Sequence, residues 1–361
     1  MTDELVDKVF NNAQELLCTD KKDIEKIKKK LSELNKNFNE LKKRERYLNS
    51  PDDINLPFFA YGIFKPGQLA YSIIENHIET KIYKEIPYKL FERDGIPFLD
   101  IKEMSEKEKK NPDIPMAKGF LIDFKEEHRQ QAYDDISGIE PRKYYRWLNN
   151  KNRSFNVLVG KNPTKSNPRL VEDGNYNAKQ DVYFTRALAL ITDEMKKYKV
   201  STEFEDFFKL QRNYILLWAA IERYNSLKYG EGNKTENNNK LAKEPFYKRA
   251  FEKYVTEKRE IFRTDKLKTP IKLDPSEPEK SMNYYYAVRS NVVHRGKSVI
   301  ETDEITLRKS LLELLNIFQD VLEETIPGIN VGSRVDVNLV ESNVDHVEYL
   351  ICPKCGQKII K

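Results

Sequence analysis

The sequence predicts a multidomain α+β protein, and three observations carry that reading. At 361 residues the chain exceeds what one hydrophobic core usually spans. Its apolar pattern changes period twice: helical over 1–50, strand-like over 57–160 and helical again over 181–326. A segment rich in Asn, Pro and Lys, 161–180, separates the last two and reads as a linker, and a short tail, 331–361, ends in a Cys-Pro-Lys-Cys-Gly turn. Hydrophobic residues at 39% and charged residues at 34% fit folded cores with a solvated surface and exclude a disordered chain. The net charge of +5 permits nucleic-acid binding without requiring it. No signal-type core opens the sequence, no stretch approaches the ~20 apolar residues of a membrane span, and Cys18, Cys352 and Cys355 make no disulfide framework. A soluble, cytoplasmic protein that avoids membranes is expected.

The elements follow in order. Ile24, Ile27, Leu31, Leu34, Phe38, Leu41 and Leu48 recur at steps of 3 and 4, interrupted only by Glu45. So narrow a stripe points to a coiled coil or helical hairpin used for dimerisation. Between 57 and 160, runs such as "FFAYGIF", "YKLFE", "GFLIDF" and "FNVLVG" alternate with turns and charged segments, predicting a mixed α/β domain. Thr202 and Glu205 form a capping box ahead of a long helix bearing Phe207, Tyr214, Leu217, Trp218 and Ile221. The segment 230–239 reads as a polar loop, 246–260 as a second helix, and "KTPIKLDPSEPEK" as a Pro-rich loop. A third helix carries "YYYAVRSNVVHRGKS", and a Leu-rich fourth runs from Asp303 to Glu324, stopped by Pro327-Gly328. This half is predicted to be an all-α bundle.

Three motifs of the α/β segment line up in order: "YGIFKPG" at 61–67, "YKLFERDGIPFL" at 88–99, and "GFLIDF" followed by "AYDDISGIEPRKYYRW" at 132–147. Together they resemble the γ-glutamylcyclotransferase-like family over 57–160, which implies a small β-barrel. The resemblance makes Glu140 the acid/base that lets an α-amine attack a γ-amide, releasing 5-oxoproline. It gives Tyr61, Gly62, Ile63 and Phe64 the carboxylate of a small γ-glutamyl ligand. Read from the residues alone, Glu140 sits between Ile139 and Pro141, a desolvated setting that raises a carboxyl pKa. Ser137 stands where the family has Asp, and Pro141 where it has Gly. A competent pocket and a binding-only domain therefore both stay open. Residues 141–169 hold eight Lys or Arg and no acid, interleaved with Tyr144, Tyr145, Trp147 and Phe155; this is either a strand with a basic loop or an RNA-facing surface.

On a regular helix Tyr285, Val288 and Val292 form one stripe, and His294 stands ~120–180° away from it. A core histidine is thus not indicated. Arg289 lies ~140° from His294, so a groove shared by two copies would gather both pairs. The Arg-x4-His spacing, Asn291 between, the trailing "HRGK" and the helix "YILLWAAIERYNSLKYG" with Glu222 resemble the HEPN superfamily over 181–326. The resemblance implies a metal-independent endoribonuclease working as a homodimer. Arg289, Asn291, His294 and Glu222 would be its catalytic residues, and Arg295 and Lys297 would bind RNA. The chemistry suits the residue types: a histidine can take the 2′-OH proton, and a guanidinium can hold the phosphoryl charge. No cofactor is expected for RNA cleavage.

In the tail, Cys352 and Cys355 have the spacing of a zinc knuckle, and two more ligands are required. Either two protomers pool their knuckles around a structural Zn, or no metal binds. The combination suits a toxin or anti-phage defence effector with an activator or antitoxin. Two other functions stay open: a γ-glutamyl cyclotransferase whose HEPN half is structural, and a non-catalytic nucleotide- or RNA-binding sensor or scaffold.

Overall fold

The computed structural model describes residues 2–19, 23–93, 95–148, 154–161, 168–198, 204–230, 232–263, 266–295, 301–337, 349–351 and 358–360. The chain forms two compact units, 1–66 with 70–176, and 67–69 with 177–361, in a mixed α+β arrangement.

The first unit opens with α1 (Thr2–Leu17) and α2 (Ile24–Arg46), the helical-hairpin alternative for this segment. The Asp23 carboxylate accepts the Lys26 N–H at 3.1 Å and starts α2, and Lys30 reaches back to Glu15 at 3.0 Å. After α2, Tyr47 makes an antiparallel bridge with Pro141. The remaining elements are β1 (Phe58–Ala60), α3 (Tyr71–Ile74), β2 (Ile78–Ile86), β3 (Tyr88–Arg93), β4 (Ile96–Glu103), α4 (Glu106–Lys109), β5 (Ala117–Phe124), α5 (Arg129–Ile139), β6 (Tyr145–Trp147), β7 (Leu158–Gly160) and β8 (Arg169–Leu170).

The strands form two sheets, β1-β5-β2 and β6-β7-β4-β3-β8, antiparallel except for β4 with β7. Among the described residues no ladder closes them into the expected β-barrel. β2 explains why: apart from its two ends it is exposed along its whole length, so its free edge stays in solvent. The core lies where Tyr133 of α5 packs edge-on against Phe58, Phe124 and Trp147. The expected linker contributes a strand to the second sheet. β8 pairs with β3, and the buried Lys65 ammonium donates to Asn175 Oδ1 (2.5 Å) and the Tyr176 carbonyl (2.6 Å).

The second unit contains α6 (Leu188–Lys197), α7 (Phe204–Tyr229), α8 (Lys234–Lys243), α9 (Pro245–Tyr254), β9 (Arg259–Arg263), β10 (Lys266–Leu273), α10 (Pro278–Arg295), α11 (Glu301–Thr325), β11 (Tyr349–Ile351) and β12 (Lys358–Ile360). The Tyr214 hydroxyl on α7 donates to the Tyr285 carbonyl on α10 at 2.9 Å. Thr202, the expected cap of α7, lies outside the described residues.

Two expectations for this half are corrected. The polar stretch 230–239 is helical from Lys234, because Asn233 caps α8 and the helix buries its amides in pairs. Asn237 donates to the Gly230 carbonyl and Asn225 donates to Asn238, each at 2.8 Å. The bundle is also not all-α. The helix expected to reach residue 260 ends at Tyr254, and β9 and β10 form an antiparallel hairpin. Pro270, which suggested a loop, sits where the register shifts between Lys266 and Ile271, a place that tolerates a missing N–H. No helix among the described residues is long and apolar enough to cross a membrane.

Candidate functional sites

The α/β unit gathers its three motifs around one carboxyl group. Glu140 is the C-cap of α5 and is 7% exposed. Burial pushes its carboxyl up to about 8. Among the described residues none gives that carboxyl a hydrogen bond or ion pair. Tyr61, fully inside the unit, feels the Glu140 charge, and burial together with that charge pushes its phenol well above the ordinary value. The Tyr61 hydroxyl donates to the Leu158 carbonyl at 2.9 Å. A Cβ on Gly62 would meet Pro97 at 3.0 Å, and the Tyr145 hydroxyl donates to the Pro97 carbonyl at 2.6 Å. Ile63 and Phe64 are buried behind the loop. Segments distant in sequence, 61–64, 95–97 and 140–145, thus meet at one place.

A strap from the N-terminal hairpin crosses the same place. The Leu48 N–H donates to the Glu140 carbonyl at 3.4 Å, the Ser137 hydroxyl to the Asn49 carbonyl at 3.1 Å, and Trp147 Nε1 to that carbonyl at 2.7 Å. The two residues that depart from the family pattern, Ser137 and Pro141, are both strap contacts. Nothing in the sequence signals this, because a bond to a carbonyl oxygen leaves no trace in the residue that supplies it. The aromatics of the basic run are engaged inside the unit: Trp147 packs on Phe58, and Phe155 on Phe59.

In the helical unit α7 and α10 bring Glu222 and Arg289 together, with Nη2 3.3 Å from Oε1. Both side chains are about one-quarter exposed or less, 24% and 21%. The other carboxylate oxygen of Glu222 takes Lys234 at 2.7 Å, so two cations share one acid. Lys234 was not singled out from the sequence; α8 returns it to α7 after the turn at Gly230. The Arg289 guanidinium lies over the Tyr286 ring at 5.7 Å, and its Nε is buried without a hydrogen-bond partner among the described residues. Tyr286 in turn packs edge-on against Trp218 at 5.5 Å.

Asn291 points elsewhere. It is buried, and its amide donates to the Phe262 carbonyl of β9 at 3.0 Å, pinning the hairpin to α10. His294 and Arg295 form the end of α10, and their side chains lie outside the described residues. Lys297, Cys352 and Cys355 lie outside them altogether, although β11 and β12, which flank the two cysteines, pair with each other. Among the described residues no group of three or more His, Cys, Asp or Glu could hold a metal ion.

The chain matches no family model, no curated protein and no solved structure.

Proposed function

We propose that the helical unit is a metal-independent endoribonuclease of the HEPN type, acting as an anti-phage or toxin effector. The observation that carries this reading is the Arg289–Glu222 contact between α10 and α7. A guanidinium held at one end by a carboxylate, with Nε unpartnered among the described residues and part of its surface open, is oriented without being used up. It can grip the phosphoryl oxygens that gain charge as the 2′-OH attacks. Glu222 acts on Arg289 as a positioning residue. By the Arg-x4-His resemblance, His294 takes the 2′-OH proton, and Arg295 and Lys297 hold the flanking phosphates. The products then carry 2′,3′-cyclic phosphate and 5′-OH ends. Two chains supply one cleft.

The test is incubation of the wild type, His294→Ala and Arg289→Lys with total cellular RNA, with and without EDTA, followed by mapping of product ends. Cleavage should vanish in both variants and survive the chelator, and binding should weaken steeply with salt. Cutting that persists in His294→Ala, or that EDTA stops, would refute the mechanism.

A second reading is a γ-glutamyl cyclotransferase, favoured by the buried Glu140 carboxyl near Tyr61, which has no partner among the described residues. Release of 5-oxoproline from a γ-glutamyl amine by the wild type, lost in Glu140→Gln and unaccompanied by RNA cleavage, would favour it over the first.

A further inference from the structure

Each helix of the N-terminal hairpin carries two apolar arcs, and the chain covers one of them. On α1 the shielded positions are Leu5, Val9 and Leu16, whereas Val6, Phe10 and Leu17 stand ~100° further round the helix. On α2 the shielded positions include Ile27 and Leu34, and Ile24, Leu31 and Phe38 stand ~50° further round. These outer six side chains are 41–86% exposed. The rotation has the same sense on both helices. Because the helices run antiparallel, it carries both outer arcs to the same side of the hairpin. Leu17 and Ile24 lie at the tip, Phe10 and Leu31 in the middle, Val6 and Phe38 toward the base. The result is a laddered apolar face, with steps of seven residues along α2 and of four and seven along α1, the pattern of a helix-bundle seam.

Charge selects the occupant. α1 holds four acidic residues and one basic residue, net −3; α2 holds nine basic and four acidic, net +5. We propose that this face is closed by the same face of a second copy of the chain. The two hairpins form a four-helix bundle in which α1 lies over α2 of the other copy. A twofold axis along the bundle produces that pairing and sets unlike charges opposite each other. The alternative twofold, across the bundle, stacks α1 on α1 and α2 on α2, setting like charges together. The two arrangements differ in one measurable way: the first brings both hairpin tips to the same end, and the second sends them to opposite ends.

Cys18, exposed at the tip, provides the probe. Full-length protein with Cys352→Ser and Cys355→Ser is spin-labelled at Cys18, and the label-to-label distance is measured by pulsed electron resonance. Interaxial spacings of about 8–10 Å give a bundle diagonal of about 11–14 Å between axes, and the outward reach of the two labels brings the expected separation to about 15–20 Å. The crossed twofold would give roughly 30 Å or more, the length of the helices. Leu31→Glu, at an exposed position, should remove the short distance and leave the helical circular-dichroism signal unchanged. A wild type with no short distance overturns the proposal, whether it is monomeric or dimeric by light scattering. So does a short distance that survives Leu31→Glu.

Discussion

Replacing Glu140 with Gln should change how stability depends on pH, in a direction the burial of this side chain dictates. In the folded protein the carboxyl is raised from 4.5 to about 8, with desolvation as the cause. Its stabilising protonation is therefore fully present below about pH 4.5 and is lost as pH rises through about 8. At about 1.4 kcal/mol for each tenfold change in proton affinity, the ceiling is about 5 kcal/mol. Water entry and local relaxation reduce this, and a loss of roughly 2 kcal/mol between pH 5 and 8 is expected. Glu140→Gln is neutral throughout and lacks this loss, whereas every other titrating group is common to both proteins. The assay is urea unfolding of wild type and variant at pH 5, 6, 7 and 8, with hydrogen exchange of α5 peptides locating the effect. The two stabilities should approach each other at pH 5 and diverge at pH 8, the variant becoming the more stable. Parallel curves would mean that Glu140 ionises freely when folded, and the acid/base reading of this carboxyl would go with them.

Other substitutions separate structural from chemical roles. Asn291→Ala removes the bond to the Phe262 carbonyl and should cost about 1–2 kcal/mol, with faster hydrogen exchange in β9; lost cleavage with unchanged exchange would instead put Asn291 in the chemistry. Glu313 on α11 accepts from the Tyr285 hydroxyl at 2.9 Å and pairs with Arg259, two of whose nitrogens are already buried without partners among the described residues. Glu313→Ala should therefore destabilise by about 3–5 kcal/mol, and a melt within a degree of wild type would contradict this. If protomers pool their knuckles, elemental analysis should find about one zinc per dimer, removed by Cys352→Ser; zinc-free protein whose melting is unaffected by chelator would leave the cysteines without that role.

Periodicity made the helices legible. Ile24 to Leu41, Phe207 to Ile221 and the Leu-rich run after Asp303 all became helices, because a stripe every three to four residues is a local property of the chain. The three motifs of the α/β unit were legible as pieces, and the desolvated setting read for Glu140 from Ile139 and Pro141 agrees with its burial. Polarity misled where partners came from elsewhere. Asn237 and Asn238 read as loop residues because their amide partners, Gly230 and Asn225, are supplied by the fold. β9 and β10 were missed because five and eight residues around a proline carry too short an alternation to outweigh a turn signal.

What the sequence by itself determined is residue chemistry and local period: which helices form, which residues can titrate or hold charge, and that an arginine and a histidine share one helix. What only the tertiary structure decided is who meets whom. It joined Arg289 to Glu222 across 67 positions and gave Lys234 the other oxygen of that carboxylate. It laid the 47–50 strap over Glu140 and left one face of the N-terminal hairpin uncovered. Such contacts depend on loop closures and on bonds to backbone carbonyls, which every residue possesses, so no residue type announces them in advance.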